Sequence, residues 1–509
     1  MAENGNRPAP HHRVAVIGAG FSGLGAAIRI RQAGIEDFVV LERAGEVGGT
    51  WEANTYPGCQ CDVASHLYSF SFMPNPDWSR GYSTQPEIWD YLRRCADRGG
   101  VRPHLRLGCE VLDASWEEDA KRWRIETSTG PLTADLLIAG PGGLSEPSIP
   151  DFPGLESFAG PVIHSAAWDH DVELRGKRVA VIGTGASAIQ VVPAIQPQVA
   201  RLDVFQRTPP WIVPHRDRPI GRIKRRLYRL FPPLQRLARA GIYMSREPLV
   251  LGLVHRPRLL RAVERLALRH MKRQVPDPEL RRRLTPSYRI GCKRILPSND
   301  WYPALVQDNV EVVSDRIAEV RPEGIVDGAG DLHELDAIVM ATGFKVMDLP
   351  IAHRVRGREG TLAEAWSDGM EAYLGTTISG FPNLFLLVGP NTGLGHNSIV
   401  YMIESQLNYV LDALRVIEER GLASVDVRSE VQREFNDDLQ RRHEGTVWSS
   451  GGCTSWYLDA RGRNRTIWPR QTWTFRRMTR RFDPANYRLE RAALPVEGEA
   501  LAVHPSALV

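Results

Sequence analysis

Two glycine-rich turns carry the first chemical signal. Gly18-Ala19-Gly20-Phe21-Ser22-Gly23 and Gly183-Thr184-Gly185-Ala186-Ser187-Ala188 stand 165 residues apart. Each closes an apolar run of strand length, VAVIGAG at 14–20 and VAVIGTG at 179–185, and each precedes a helical pattern. A strand that turns on glycine into a helix aims free N–H groups and the positive end of the helix dipole at an anion. Gly18 permits the tight turn, Gly20 leaves space for a pyrophosphate, and Gly23 lets helix and strand approach closely. Gly183, Gly185 and Ser187 repeat the arrangement, with Ala188 in the third glycine position. Each turn reads as a dinucleotide site.

The strand after each turn distinguishes the two sites. Glu42 lies 24 residues after Gly18, where a carboxylate accepts ribose hydroxyls. Arg207 lies 24 residues after Gly183, in VFQRT. A guanidinium there suits a 2′-phosphate, which it binds through paired charged hydrogen bonds. The alternative for Arg207 is a surface arginine at a strand end. The first site therefore suits FAD and the second NADPH.

A protein with two such sites could be a disulfide reductase, an oxidase or a monooxygenase. GEVGGTW at 45–51 places Trp51 where a reductase of the glutathione reductase type carries a redox cysteine pair. Cys59 and Cys61 have the wrong spacing and read as buried, unreactive thiols. Without a dithiol relay, dioxygen is the simplest electron acceptor.

The elements that must hold these residues follow from the pattern. A helix is expected over 22–33, ended by Gly34, and another from about Ala186. Strands are expected at 38–42 and 202–206. Two β-α-β units predict an α/β chain with two Rossmann-like domains. Further apolar runs ending in glycine turns are DLLIAGPGG at 135–143, DAIVMATGF at 336–344 and LFLLVGPN at 384–391. The expected division is a discontinuous FAD-binding domain over 1–150 and 350–509. An NADPH-binding domain over 151–214 and 289–349 is interrupted by a basic helical insertion over 215–288.

Between the two units runs Phe158-Ala-Gly160-Pro-Val-Ile-His164-Ser-Ala-Ala-Trp168-Asp169. This resembles the F-x-G-x-x-x-H-x-x-x-W-[PD] fingerprint of type I Baeyer–Villiger monooxygenases, within the class B flavoprotein monooxygenases. N-hydroxylating relatives usually carry Tyr or Phe at the Trp168 position. YPGCQCDV at 56–63, QRTP at 206–209, CKR at 292–294, ATGF at 341–344 (with Thr342 and Gly343) and GPNTGLGHNS at 389–398 resemble the same family. The likeness runs from about residue 13 to 410.

The resemblance implies an NADPH- and dioxygen-dependent enzyme that converts a ketone to an ester or lactone through a flavin C4a-peroxide, with sulfoxidation as a side activity. It implies that Arg294 lies over the flavin and stabilises the anionic species, and that Asp62 orients Arg294. It implies that Lys293, with Arg207 and Thr208, contacts the 2′-phosphate of NADPH. His164 reads equally as a contact linking the domains or as part of the mechanism, and Trp168 as linker packing. In the GLGHNS turn the backbone, more than His396, is expected to face the flavin. Trp456–Tyr457 and Trp468–Trp473 could line a pocket or fill the core. Two other readings remain open: an N-hydroxylating flavin monooxygenase, or a flavin-binding protein docking on a membrane or acidic partner through 218–283.

Composition sets the outer limits. The chain has 509 residues, 42% hydrophobic and 24% charged, which excludes disordered, collagen-like and coiled-coil classes. Its polar start reads as no secretory leader, and no apolar run reaches membrane-spanning length. Six cysteines without metal-ligand spacing predict reduced thiols in a cytoplasm and no metal site. The net charge of +4 conceals a basic block, 19 Lys/Arg against 4 Asp/Glu from Arg218 to Arg283. Such a block suits acidic lipid, nucleic acid or an acidic partner, but is more often a solvated helical face. A nucleic-acid partner is not expected, and peripheral membrane contact is the lesser reading.

Overall fold

A computed structural model describes residues 9–492. The first few residues of the chain, on which the leader reading rests, and the last stretch assigned to the flavin domain lie outside them. β1 (His11–Ile17) is four-fifths apolar after its first residues and buries Val14–Ile17 completely or nearly so. It turns at Gly18 into α1 (Phe21–Gln32), whose last turn carries Arg29 and Arg31 at the negative end of its dipole. β2 (Phe38–Leu41), β3 (Leu105–Arg106), β4 (Val111–Glu117), β5 (Arg122–Thr127) and β6 (Leu132–Ala139) follow.

The chain then leaves this sheet. β7 (Val162–His164) and β8 (Arg178–Ile182) lead into α2 (Ala188–Ile195) and β9 (Arg201–Phe205). Three helices of the basic block come next: α3 (Arg222–Leu230), α4 (Pro232–Arg246) and α5 (Arg261–Gln274). Residues 251–255 wind more loosely, as a π turn. β10 (Val310–Val313) and β11 (Ala337–Met340) return to the second sheet. β12 (Val355–Arg356), β13 (Leu384–Leu386) and the long α6 (Ile399–Arg420) return to the first.

The first sheet has the order β12-β4-β5-β6-β1-β2-β3, with β13 also on β6. Its β1–β2, β1–β6 and β13–β6 pairs are parallel, with Val14 opposite Phe38 and Leu384 opposite Leu137. The second sheet, β10-β9-β8-β11-β7, is parallel throughout, with Val179 opposite Leu202 and Ala337. Parallel strands need both faces covered, so their sequences are continuous apolar runs rather than alternating ones. VAVI in β1, RVAVI in β8 and AIVM in β11 fit that requirement. The expected α/β class and both β-α-β units are present. The observed strand ends, Leu41 and Phe205, fall one residue short of the expected ones, and α2 starts two residues late.

One expectation fails. Cys292 and Cys453 form a disulfide across 161 residues, with Cα atoms 6.1 Å apart. Cys59, Cys61, Cys95 and Cys109 are free and buried. The reading of reduced thiols throughout is corrected: spacing in sequence holds no information about two cysteines brought together by the tertiary fold. Among the described residues, no helix is long and apolar enough to cross a membrane.

Candidate active site

The first glycine turn has the shape its sequence demands. Gly18 sits at φ +91°, and a Cβ on Gly23 would lie 1.7 Å from the Gly18 carbonyl oxygen. Any side chain at Gly23 would push α1 off β1. Glu42 is buried beside the turn, and its carboxylate accepts from the backbone N–H groups of Ala19 at 2.6 Å and Ala44 at 2.9 Å. These bonds fix the carboxylate at the end of β2 beside Gly18–Gly20. Trp51 is buried, donates from Nε1 to the Tyr68 hydroxyl at 3.1 Å, and its carbonyl accepts from Gln85 Nε2.

The second turn is more open. Gly183, at φ +120°, would drive a Cβ to 2.4 Å from the Ala341 oxygen, whereas nothing lies within 4 Å of a Cβ on Gly185. That free space at the helix entrance leaves room for a pyrophosphate. Thr184 Oγ1 donates to the Thr208 carbonyl at 2.8 Å, tying the turn to the strand end that carries Arg207. Arg207 is exposed, and Lys293 lies near enough to feel its charge. Burial first, and the Arg207 charge second, push the Lys293 ammonium below its usual pKa. Among the described residues neither cation has a carboxylate partner. Two neighbouring cations without a carboxylate suit a doubly charged phosphate.

Between the turns lies the YPGCQCDV loop. Asp62 accepts two parallel bonds from Arg294, Nε to Oδ2 and Nη2 to Oδ1, each 2.5 Å. Burial is the strongest single influence and opposes the Asp62 carboxylate, yet the Arg294 charge and hydrogen bonds, with the Arg246 charge, together hold the carboxyl below its usual pKa. Asp62 in turn raises the Arg294 pKa, so the guanidinium stays charged. Arg294 keeps 40% of its side-chain surface accessible. A cavity of about 780 Å³ opens against Asp62, lined also by Tyr56, Arg80, Gln190, His215 and Asp300. Burial pushes the Cys59 thiol up to about 11 and raises Cys61 as well, so neither is a nucleophile at neutral pH.

The fingerprint residues lie along the second sheet. Phe158 packs in the core of the second sheet, and a Cβ on Gly160 would meet the Asp336 oxygen at 2.4 Å. His164 ends β7, buried, with Nδ1 accepting from the Ala166 N–H at 3.1 Å. Its Nε2 is buried without a partner among the described residues. Burial lowers the imidazole pKa, with the Gly343 backbone working the other way. The Phe344 ring lies 6.1 Å away. Thr342 Oγ1 donates to the Ser148 carbonyl at 2.5 Å, and Ser148 N–H to the Gly343 carbonyl at 2.9 Å. The ATGF turn is thus stitched to the first crossing between the sheets. Trp168 is half-buried against the main core.

Two contributors were not legible in advance. Gln190, on α2, accepts from the Tyr56 hydroxyl at 2.9 Å and donates to the Gln60 carbonyl at 2.9 Å. It joins the second dinucleotide helix to the loop that carries Asp62. Arg246, the last residue of α4, donates to the Tyr82 hydroxyl at 2.9 Å, and its charge also lowers the Asp62 pKa. Asp62 therefore feels two cations, Arg294 in contact and Arg246 through its charge. Glu247, next in sequence, accepts from the Thr472 N–H at 3.2 Å and from Asn397 Nδ2 at 2.7 Å. His396 lies 3.4 Å from it, which places that side chain in a buried polar knot. Tyr457 and Trp468 are buried, whereas Trp456 and Trp473 are about half exposed. Only the single-residue alternation, unresolvable in so irregular a segment, could have separated them.

Comparison with known proteins gives the family. The family described as pyridine nucleotide-disulphide oxidoreductase matches residues 15–229. A Baeyer–Villiger monooxygenase of Streptomyces coelicolor is 55% identical, covering 95% of this chain and 93% of the relative. The chain belongs to the Baeyer–Villiger monooxygenase family. A second such monooxygenase, from Pseudomonas aeruginosa, is 53% identical over 96% of this chain and 93% of its own length. Among solved structures, cyclohexanone monooxygenase from Rhodococcus sp. Phi1 bound to NADP+ superposes with a TM-score of 0.83 at 30% identity, covering 95% of this chain and all of that one. The family expected from the 158–169 fingerprint is therefore the right one, and the N-hydroxylating alternative is not favoured.

Proposed function

We propose that this Baeyer–Villiger monooxygenase takes a ketone, NADPH, a proton and dioxygen to an ester or lactone, NADP+ and water. FAD bound at the first glycine turn supplies reduction by NADPH and activation of dioxygen. The remaining roles belong to the chain. Glu42 would accept the ribose hydroxyls of the flavin nucleotide, and the α1 N-terminus its pyrophosphate, with Gly20 giving room and Trp51 walling the pocket. Gly183, Gly185 and Ser187 would receive the NADPH pyrophosphate. Arg207, Lys293 and Thr208 would receive its 2′-phosphate, and Thr342 and Gly343 would hold the opposite wall.

The observation that carries this reading is the two-pronged Arg294–Asp62 pair. Its guanidinium is partly accessible, permanently charged and fixed in plane. It can hold negative charge beside a carbonyl carbon without giving up a proton. One well-placed donor to a developing oxyanion lowers a barrier by about 3–4 kcal/mol. His164, held neutral by burial, serves as a joint contact.

The reading includes the division into FAD-binding 1–150 plus 350–509, NADPH-binding 151–214 plus 289–349, and the insertion 215–288. It also includes a cytoplasmic setting, where NADPH is regenerated. The order of the first sheet, completed by β12 and β13, supports the discontinuous domain. The test is a panel of ketones, sulfides and amines given to purified yellow protein with NADPH. Ketone products heavier by one oxygen atom are expected; oxidation confined to amines overturns the reading.

A further inference from the structure

We propose that the α3–α4 hairpin is a docking face for an anionic lipid bilayer. The sequence placed a basic block here, and basic helices usually turn their apolar side to the core. α4 does the reverse. Its inward side is polar and fully engaged: Gln235 donates to the Asn75 carbonyl at 2.6 Å. Arg239 donates to the carbonyls of His66, Leu67 and Ser69 at 2.7–3.2 Å. Tyr243 reaches Thr472 at 2.9 Å. These residues recur every four positions, on one side of the helix.

The opposite side of α4 carries Leu234, Leu237 and Met244, all exposed, Leu237 at 70% and Met244 at 63%. They fall within about 80° of one another around the helix axis. α3 packs against α4 and repeats the pattern: Ile223, Leu227 and Leu230 follow i, i+4, i+7 spacing, with Ile223 80% exposed. Phe231, at the bend between the helices, is also exposed. Isolated exposed leucines are ordinary, but seven exposed apolar residues on two adjoining helices and the bend between them are a concentration that asks for a partner.

Charge chooses the occupant. Arg222, Lys224, Arg226 and Arg236 flank the stripes, exposed, and have no carboxylate partner among the described residues. An aliphatic stripe edged by unpaired cations matches a helix lying in the interface of an anionic membrane, with the apolar groups inserted and the cations among the headgroups. A second copy applying the same face would oppose these cations to one another. A protein partner is met more often through Trp and Tyr anchors than through a convex row of Leu and Ile.

The test is co-sedimentation with vesicles of neutral phosphatidylcholine, alone or mixed with phosphatidylserine. The holoenzyme is expected to pellet with the mixed vesicles, less with the neutral ones, and less again in high salt. Leu237→Asp and Ile223→Asp each remove an inserted side chain and are expected to weaken partitioning roughly tenfold or more. Both residues project to solvent, so flavin content and ketone-dependent NADPH oxidation without vesicles should match the wild type. Arg222→Glu with Lys224→Glu should remove the preference for anionic lipid. Wild-type protein that stays in the supernatant, or a Leu237→Asp variant that pellets equally, overturns the proposal. So does a light-scattering mass of a dimer that Leu237→Asp halves, with no vesicle binding, which gives the face to a second copy. Retention on polyglutamate without vesicle binding gives it to an acidic polypeptide and overturns the proposal equally.

Discussion

Asp62 and Arg294 are 232 residues apart and face each other through two parallel hydrogen bonds of 2.5 Å. The pair fixes the plane of the guanidinium as well as its charge, and lysine can reproduce only the charge. Arg294→Lys is expected to keep bound flavin but lower ester formation by about 100-fold or more, the usual cost of one lost oxyanion donor. Asp62→Asn leaves the cation in place but frees its orientation, so a smaller loss in kcat with little change in NADPH KM is expected. Rapid-mixing kinetics and product mass check both. Near-normal turnover in Arg294→Lys removes this arginine from the chemistry.

Arg207 and Lys293 should separate the two nicotinamide coenzymes. Arg207→Ala is expected to raise the KM for NADPH by about 10-fold to 100-fold, in line with one lost charge-assisted pair, and to leave NADH use nearly unchanged. Lys293→Met should act in the same direction, and on the proposed sharing of one phosphate the double variant should lose less than the product of the two single losses. Equal losses with NADPH and NADH would show that neither residue reads the 2′-phosphate.

Two buried histidines predict how stability depends on acid. Burial holds His443 and His66 at about 4, below their unfolded value near 6.5. Each is neutral in the folded chain, so its contribution is full above pH 6.5 and is lost as pH falls toward 4. At pH 5 the loss is about 2 kcal/mol per histidine. His443 sits behind the 464–468 segment, with Nε2 donating to the Ile467 carbonyl at 3.0 Å. Urea unfolding at pH 7 and pH 5 should therefore differ, and His443→Gln should shrink the difference. A pH-independent transition midpoint contradicts the burial of both rings.

The Cys292–Cys453 bond closes a loop of 161 residues. Chain-entropy arguments give such a closure roughly 3–5 kcal/mol. Reductant should lower the Tm of the wild type, Cys292→Ser should lower it by a similar amount, and reductant should then have no further effect. An unchanged Tm on reduction of the wild type, with two free thiols more after denaturation in reductant than without, would confine the bond to a minor role.

Local signals were legible and distant ones were not. Gly18–Gly23 with Glu42, and Gly183–Gly185 with Arg207, announce themselves because turn, helix start and strand end are fixed within 25 residues of chain. The Arg294–Asp62 pair is invisible to spacing and came only through resemblance of the flanking CKR and YPGCQCDV motifs. Gln190 and Arg246 left no mark: one is a lone amide on a short helix, the other one arginine among many. Helical periodicity in 222–246 tells which residues share a side, but not which side meets the protein. The inward row Gln235–Arg239–Tyr243, of which Gln235 is buried, inverts the usual rule because each polar group finds a carbonyl or hydroxyl waiting.

β6 takes β13 as a parallel neighbour, Leu137 against Leu384. On a ribosome adding about 5–20 residues per second, the later strand emerges tens of seconds after the earlier one. Throughout that interval the three-residue apolar edge Leu137–Ala139 lacks this neighbour and is open to pairing with the same stretch on a neighbouring polysome. Truncations ending before the 384–386 strand should accordingly accumulate as inclusion bodies, and the intact polypeptide should depend on holding chaperones until its last third has been made.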